Sequence, residues 1–352
     1  MLLEKKAKRK RLFRKCIFLL LAVVVTISMF GITAFAEGTE AAEPDPERWG
    51  WPLDGIYDSI ESMFCSLLNN IFIGCFDLID TVVADANKEL SLTPSEYNAT
   101  MFDTVKNIVE GVMVPVGGIV LSFVVLYEFI QALIDKNSFH DFDMSIFIRF
   151  IFKTTLGIWF LGNVFPIVNA LFDLGSFLVN GVVTEADTAG TLSQAVTTFA
   201  NFLQPEKVSL STLLLILIPA GFLNIVSLII YGCVYVILIG RMVEIYIHIS
   251  VAPIPMATLT NRDFGDTGKN YLKVIFAYAL QAVFIMIAIA LYANLCGESL
   301  TAAVGNGVTS SEPLELAGQI NQAILYCAAL GVVLILTMFK SGGIAKSILN
   351  CH

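Results

Sequence analysis

The chain has 352 residues, 56% of them hydrophobic and only 14% charged, where soluble domains carry roughly 25% charged residues. With a mean hydropathy of +0.77, this composition argues against a soluble protein and for an integral membrane protein. The formal charge of −9, from 21 Lys+Arg and 30 Asp+Glu, is unevenly spread, because eight of the basic residues lie in the first fifteen positions.

That basic start, from Lys5 to Lys15, precedes an apolar run from Ile17 to Phe30 and the small-residue pair Ala34 and Ala36 around Phe35. The pattern predicts a cleavable secretory signal over residues 1–36, with an uncleaved anchor as the alternative, since the run is shorter than the ~20 residues that span a bilayer. Removal would leave 13 basic and 29 acidic side chains, a charge of −16, with the new N-terminus outside. A protein that coats nucleic acid carries the opposite sign.

Residues 37–111 then read as an extracytoplasmic region. From Glu37 to Trp51 the chain is acidic and punctuated by Pro44, Pro46 and Pro52, a composition that resists a packed core. From Leu53 to Val83, polar Asp54, Asp58, Glu61, Asn69, Asp77 and Asp80 recur near helical spacing, and Ile60, Phe64, Leu68, Phe72, Phe76 and Ile79 fill the other face. This predicts an amphipathic helix packed on the outer membrane boundary or on a neighbouring subunit, or else an ordinary helix of a small extracytoplasmic domain.

Residues 112–352 read as a polytopic membrane domain. Five apolar segments, about Val112 to Ile134, Ile146 to Leu171, Leu210 to Ile239, Tyr271 to Leu295 and Gln319 to Phe339, each suffice to cross ~30 Å of hydrocarbon as helices. The fold class expected is therefore an all-α integral membrane protein of about five transmembrane helices plus the outer amphipathic helix. The stretch Leu210 to Thr258 could hold one crossing or three. An outside start and five crossings put the C-terminus in the cytoplasm of a plasma-membrane protein. Nine basic residues then fall inside against four outside, Arg48, Lys88, Lys106 and Lys207, as the positive-inside rule requires.

No enzymatic constellation emerges. Cys65, Cys75, Cys233, Cys296, Cys327 and Cys351 form no CxxC, and His140, His248 and His352 form no HExxH, so neither a metal nor a cofactor is expected. Gly265 to Asn270 lacks the spacing of a phosphate-binding loop, which leaves energy to partners. Asn98-Ala99-Thr100 matches a glycosylation sequon, a pattern short enough to arise by chance.

The most informative stretch is Gly240 to Thr258. On a helix, Arg241, Glu244 and His248 form one polar stripe by i,i+3 and i,i+4 spacing, which either lines a pathway or forms an internal salt bridge at the cytoplasmic boundary. Pro253 and Pro255 prevent a regular helix from continuing and predict a broken element. Asn163, Asn169 and Asn224 read as interhelical anchors, Gly117, Gly118 and Ser122 as close-packing positions. Glu128 and Asp173 are acids within reach of a span's end.

Gly240-Arg241-Met242 with Glu244-Ile245-Tyr246, then Ser250 to Pro255 and Thr260-Asn261-Arg262, resembles the TrbL-like conjugal transfer proteins of Gram-positive conjugative elements. Glu128, Lys136 to Asp141, Phe147 to Arg149, Phe152 to Thr154 and the tail from Phe339 resemble further parts of that family, over about Val112 to His352. The resemblance implies a non-enzymatic channel or scaffold subunit of a type IV secretion system in the cytoplasmic membrane. Its partners would be copies of itself, other membrane subunits, ATPases, the lipid bilayer and, transiently, transferred single-stranded DNA. Candidate channel residues are Arg241, Glu244, His248, Pro253, Pro255, Arg262 and Glu128. The alternatives are a secondary transporter, which calls for paired broken helices in two related halves, and an intramembrane enzyme, which calls for a nucleophile and base on neighbouring spans.

Overall fold

In the computed structural model, the described residues are 54–134, 144–186, 188–202, 210–307 and 313–351. The expected signal segment and acidic leader lie outside them. Every regular element among the described residues is helical. Residues 1–63 form one compact unit and residues 64–352 a second; the first is described only from Asp54, as the opening turns of a helix, and all packing below belongs to the second.

The elements are α1 (Asp54–Ser91), a single turn α2 (Pro94–Tyr97), α3 (Ala99–Ile108), a π-helical turn (Val109–Met113), α4 (Val114–Ile134), α5 (Met144–Gly162), α6 (Val164–Ala186), α7 (Thr188–Phe202), α8 (Leu210–Val251), a single turn α9 (Pro253–Met256), α10 (Gly265–Gly307) and α11 (Pro313–Ile348). Six stretches of these are long and apolar enough to cross a membrane: Ser59–Ser91, Ala99–Gln131, Val164–Glu185, Ser211–Val251, Gly265–Gly305 and Glu315–Ile348. The chain is an all-α polytopic membrane protein.

Three features resolve or change the pattern expected. The stretch Leu210 to Thr258 is one helix of 42 residues up to Val251, about 63 Å at ~1.5 Å per residue. The segment Ile146 to Leu171 is not one helix but two, interrupted at Asn163. The amphipathic helix is longer than expected and itself belongs among the membrane-length stretches.

The largest core draws on α1, α6, α7, α8, α10 and α11, with Phe72, Phe76, Phe199, Leu213, Ile216 and Leu223 fully buried. Along α1 the buried positions Leu68, Phe72, Cys75, Phe76, Ile79, Val82 and Val83 repeat at three and four residues, the period of one helical face. Asn224 Nδ2 donates to the Ile71 carbonyl at 3.4 Å, Cys75 Sγ and Ser227 Oγ lie 2.6 Å apart, and Tyr235 donates to Asp85. Both numberings rise together, so α1 and α8 run parallel, side by side. α10 and α11 are antiparallel, with Cys296 against Cys327 and Gln281 against Ser341.

At the α1–α3 connection, Tyr97 N donates to the Thr93 carbonyl at 2.9 Å, and Asn98 Oδ1 accepts from Met101 N at 2.9 Å to cap α3. The sequon asparagine thus has a local structural use.

Candidate functional site

Two helices carry the same interruption. Pro115 follows Gly111, and Pro166 follows Gly162, at four residues; in each case the proline has no N–H to return to the glycine carbonyl, and the regular ladder fails there. The first produces the π turn Val109–Met113, the second the break at Asn163, whose Nδ2 donates to the Trp159 carbonyl at 2.9 Å. A third interruption, at Ala252, separates α8 from α9.

All three meet. A side chain on Gly117 would lie 2.8 Å from Leu161 Cδ1 and 3.0 Å from the Pro253 carbonyl oxygen. On Gly157 it would lie 2.9 Å from Leu121 Cδ1 and 3.2 Å from Thr260 Oγ1. Gly117 and Gly157 therefore cut a notch between α4 and α5 into which the chain from Pro253 to Thr260 is laid, with Leu121, Leu161 and Ala257 buried between them. Gly268 lets the start of α10 approach from the other side, where a Cβ would lie 2.6 Å from the Pro255 carbonyl. Beside the paired breaks, Phe102, Lys106, Val109, Leu161, Phe165 and Asn169 line a cavity of about 370 Å³.

A polar network closes this junction. Glu128 on α4 pairs with Lys153 on α5 and accepts from Asn261 Nδ2 at 3.0 Å. Asn261 Oδ1 in turn accepts from Asp263 N at 2.8 Å and Phe264 N at 2.9 Å, which shapes the turn into α10. Asp263 accepts from Gln131 at 2.6 Å, and Tyr127 stacks on Phe264 at 5.2 Å. The Glu128 carboxylate is mostly buried while the Lys153 ammonium stays half exposed, so the pair joins three segments without burying an uncompensated charge.

The candidates from the sequence are distributed as follows. Arg241 is buried on the face of α8 that meets α10, with Nη2 donating to the Tyr278 carbonyl at 3.3 Å. Glu244 is exposed, and among the described residues the ion pairs are Lys106–Glu110, Lys153–Glu128 and Lys269–Asp266. Arg241 and Glu244 thus make no salt bridge. His248 Nδ1 lies 2.9 Å from the Glu244 carbonyl oxygen and its ring packs on Tyr278 at 4.7 Å. Pro253 makes the notch contact and Pro255 faces Gly268 of α10, Arg262 is exposed beside the network, and Glu128 is its centre. Asn224 bridges helices as expected, Asn163 caps its own helix, and Asn169 Oδ1 is buried without a hydrogen-bond partner among the described residues. Lys153, Asn261, Gly157 and Tyr278 were not singled out as site residues; the matching Gly-x-x-x-Pro interruptions were a legible pointer to the junction.

The residue blocks that carry the conjugal transfer resemblance, around Glu128, Phe152 to Thr154 and Ser250 to Arg262, are the ones that assemble here. The family described as TrbL/VirB6 plasmid conjugal transfer like protein matches residues 65–253. The chain belongs to this family. No curated protein and no solved structure matches it.

The matched stretch starts at Cys65, in α1, rather than near Val112, and ends at the Pro253 break. As a TrbL/VirB6-like protein the chain is a membrane component of conjugal transfer, type IV secretion machinery. The family is a structural component of that machinery; the chain is multi-pass, and its family membership points to association with other transfer components.

Proposed function

We propose that the chain is a scaffold and channel subunit of a conjugative type IV secretion system in the cytoplasmic membrane, helping single-stranded DNA or protein to cross. The family match over residues 65–253 on a polytopic helical chain carries this reading. Partners are further copies of the chain, other membrane subunits and ATPases. The acidity of the chain beyond residue 36 makes any contact with DNA weak and transient, since a groove that holds phosphates is basic.

The packing supports a particular threading. Because α1 lies parallel to α8, and Tyr246 donates to the Pro94 carbonyl at 2.7 Å, Pro94 and His248 stand at one end of the bundle. The sequence alone had put them on opposite sides. If α1, α6, α8, α10 and α11 cross, with the α4–α5 hairpin leaving and rejoining at the inner end, five crossings still connect an outside start to an inside C-terminus. Lys88 and Lys106 then move inside, and eleven basic residues face the cytoplasm against Arg48 and Lys207 outside, a sharper positive-inside bias than before. Labelling of Thr100→Cys with a membrane-impermeant maleimide tests the threading. Protection in intact cells and reaction after lysis are expected; labelling of intact cells would return residues 37–111 to the outside.

In this reading Arg241, Glu244, His248, Pro253, Pro255, Arg262 and Glu128 shape the cytoplasmic mouth. In-frame deletion should abolish transfer of the resident mobile element and complementation should restore it, with donor growth unchanged. Unaltered transfer in the deletion strain overturns the function. Intact transfer and assembly with alanine at Arg241, Glu244 and His248 removes those residues from the mouth.

A further inference from the structure

Arg241 has an unusual environment. It is 6% exposed, its Nε has no hydrogen-bond partner, and its remaining contacts are the Tyr278 carbonyl at 3.3 Å and the Met242 sulfur at 3.7 Å. Among the described residues no carboxylate pairs with it. A guanidinium withdrawn from water with only a carbonyl and a thioether to face is expected to have a counter-ion.

Two further basic side chains converge on the same tyrosine. Lys346 of α11 donates to the Tyr278 hydroxyl at 3.2 Å and stands 4.7 Å from the ring centroid, while the His248 ring stacks at 4.7 Å on that ring. On the packed elements, Glu244 of α8 and Asp173 of α6 are exposed, and Asp85 and Glu89 of α1 are half-buried, Asp85 accepting from Tyr235. Arg241 and His248, two turns apart on α8, and Lys346 on α11 thus all touch Tyr278 of α10, toward one end of the bundle, and among the described residues no carboxylate pairs with any of them.

That end is a boundary. From Leu210 to Gly240 α8 has no charged residue, and Arg241 is its first; the apolar run of α11 ends at Phe339, before Lys340 and Lys346; that of α10 begins after Lys273. A cluster of basic side chains between transmembrane helices, at the end where positive charge accumulates, has the chemistry that takes a phosphate headgroup. Free phosphate offers the same oxygens without the acyl chains. On the same helices, exposed Val243, Ile247, Phe339 and Ile344 offer an apolar surface for those chains.

We propose that Arg241, His248 and Lys346 around Tyr278 bind the phosphate headgroup of an anionic phospholipid of the cytoplasmic leaflet. The proposal rests on the multi-pass reading and not on the secretion role, so its test does not use transfer. Full-length protein would be purified in neutral detergent and its thermal unfolding followed with phosphatidylglycerol, phosphatidylcholine or inorganic phosphate added. Phosphatidylglycerol should raise the midpoint by several degrees and phosphatidylcholine by less than one, and Lys346→Gln, compared with its own lipid-free midpoint, should abolish the difference. Arg241→Gln should do the same if it folds. Equal responses to the two lipids, or an undiminished difference in Lys346→Gln, overturn the site. An equal response to inorganic phosphate overturns the lipid assignment.

Discussion

The bundle of α1, α8, α10 and α11 and the hairpin of α4 and α5 are built by different means. In the bundle, long faces of Leu, Ile, Phe and Ala interlock over many turns, and small polar contacts such as Cys75 with Ser227 sit inside an apolar core. In the hairpin most large apolar side chains point outward, Phe123, Ile134, Phe152 and Ile148 among them. Its inner contacts are few: a glycine notch with the small Leu121, Leu161 and Ala257 cluster, the Phe129–Phe150 ring pair and the Glu128 network. Lipid tails are as apolar as leucine, so exposure costs the hairpin little. The bundle is therefore held by volume, and the hairpin by register and a few polar bonds.

The sharpest way to break this comparison is a cavity. Phe72, 1% exposed and edge-on to Phe199 at 4.9 Å, should cost about 3 kcal/mol or more when replaced by alanine, read as a lowered unfolding midpoint in detergent. Phe123, 69% exposed, should cost almost nothing. Similar losses for Phe72→Ala and Phe123→Ala would mean that the hairpin is packed by volume too.

A somewhat smaller effect belongs to the notch. Gly117→Val places carbon against the Pro253 carbonyl, a backbone atom that cannot rotate away. It should cost about 1–3 kcal/mol by overpacking and reduce transfer, whereas Gly118→Val, with open space around its Cβ position, should do neither. Equal tolerance of both would remove the notch as a structural device.

The polar latch should be weaker still. A double-mutant cycle of Glu128→Gln and Lys153→Met on thermal stability should give a coupling below about 1 kcal/mol, because Lys153 is half exposed. No measurable coupling would leave register to the glycines alone.

The smallest effect is local and acidic. The Thr93 backbone N–H, at 3.0 Å, and its hydroxyl, at 2.9 Å, both donate to Glu96 and hold its carboxyl below the ordinary value of 4.5. A folded-state pKa below the unfolded one contributes stability that is present above the unfolded value and lost as pH falls through the folded one. Hydrogen exchange at Tyr97 N should therefore quicken only as pH drops below about 4.5, after correction for intrinsic rates, and Glu96→Gln should remove that dependence.

Much of this was legible in one dimension. The apolar run from Val112 became a helix near its expected bounds, and those from Tyr271 and Gln319 became the middles of longer helices, Gly265–Gly307 and Pro313–Ile348, because a 20-residue apolar segment has no other way to satisfy its backbone in lipid. The Pro253 break was legible for the same local reason, as was the polar stripe's spacing. The stripe's pairing was not: i,i+3 neighbours share a helix surface, yet Arg241 turned inward to α10 and Glu244 outward.

The sequence by itself determined the solvent this protein lives in, the number of its membrane-length helices among the described residues to within one, and the family to which it belongs, since hydropathy, proline and motif spacing act over neighbouring residues. Only the tertiary structure decided that α1 lies parallel to α8, that the interruptions at Gly111, Gly162 and Ala252 share one level, and that Glu128 meets Lys153 and Asn261. These contacts join residues 25 to 153 positions apart, and they are chosen by which faces fit, a property no local pattern encodes.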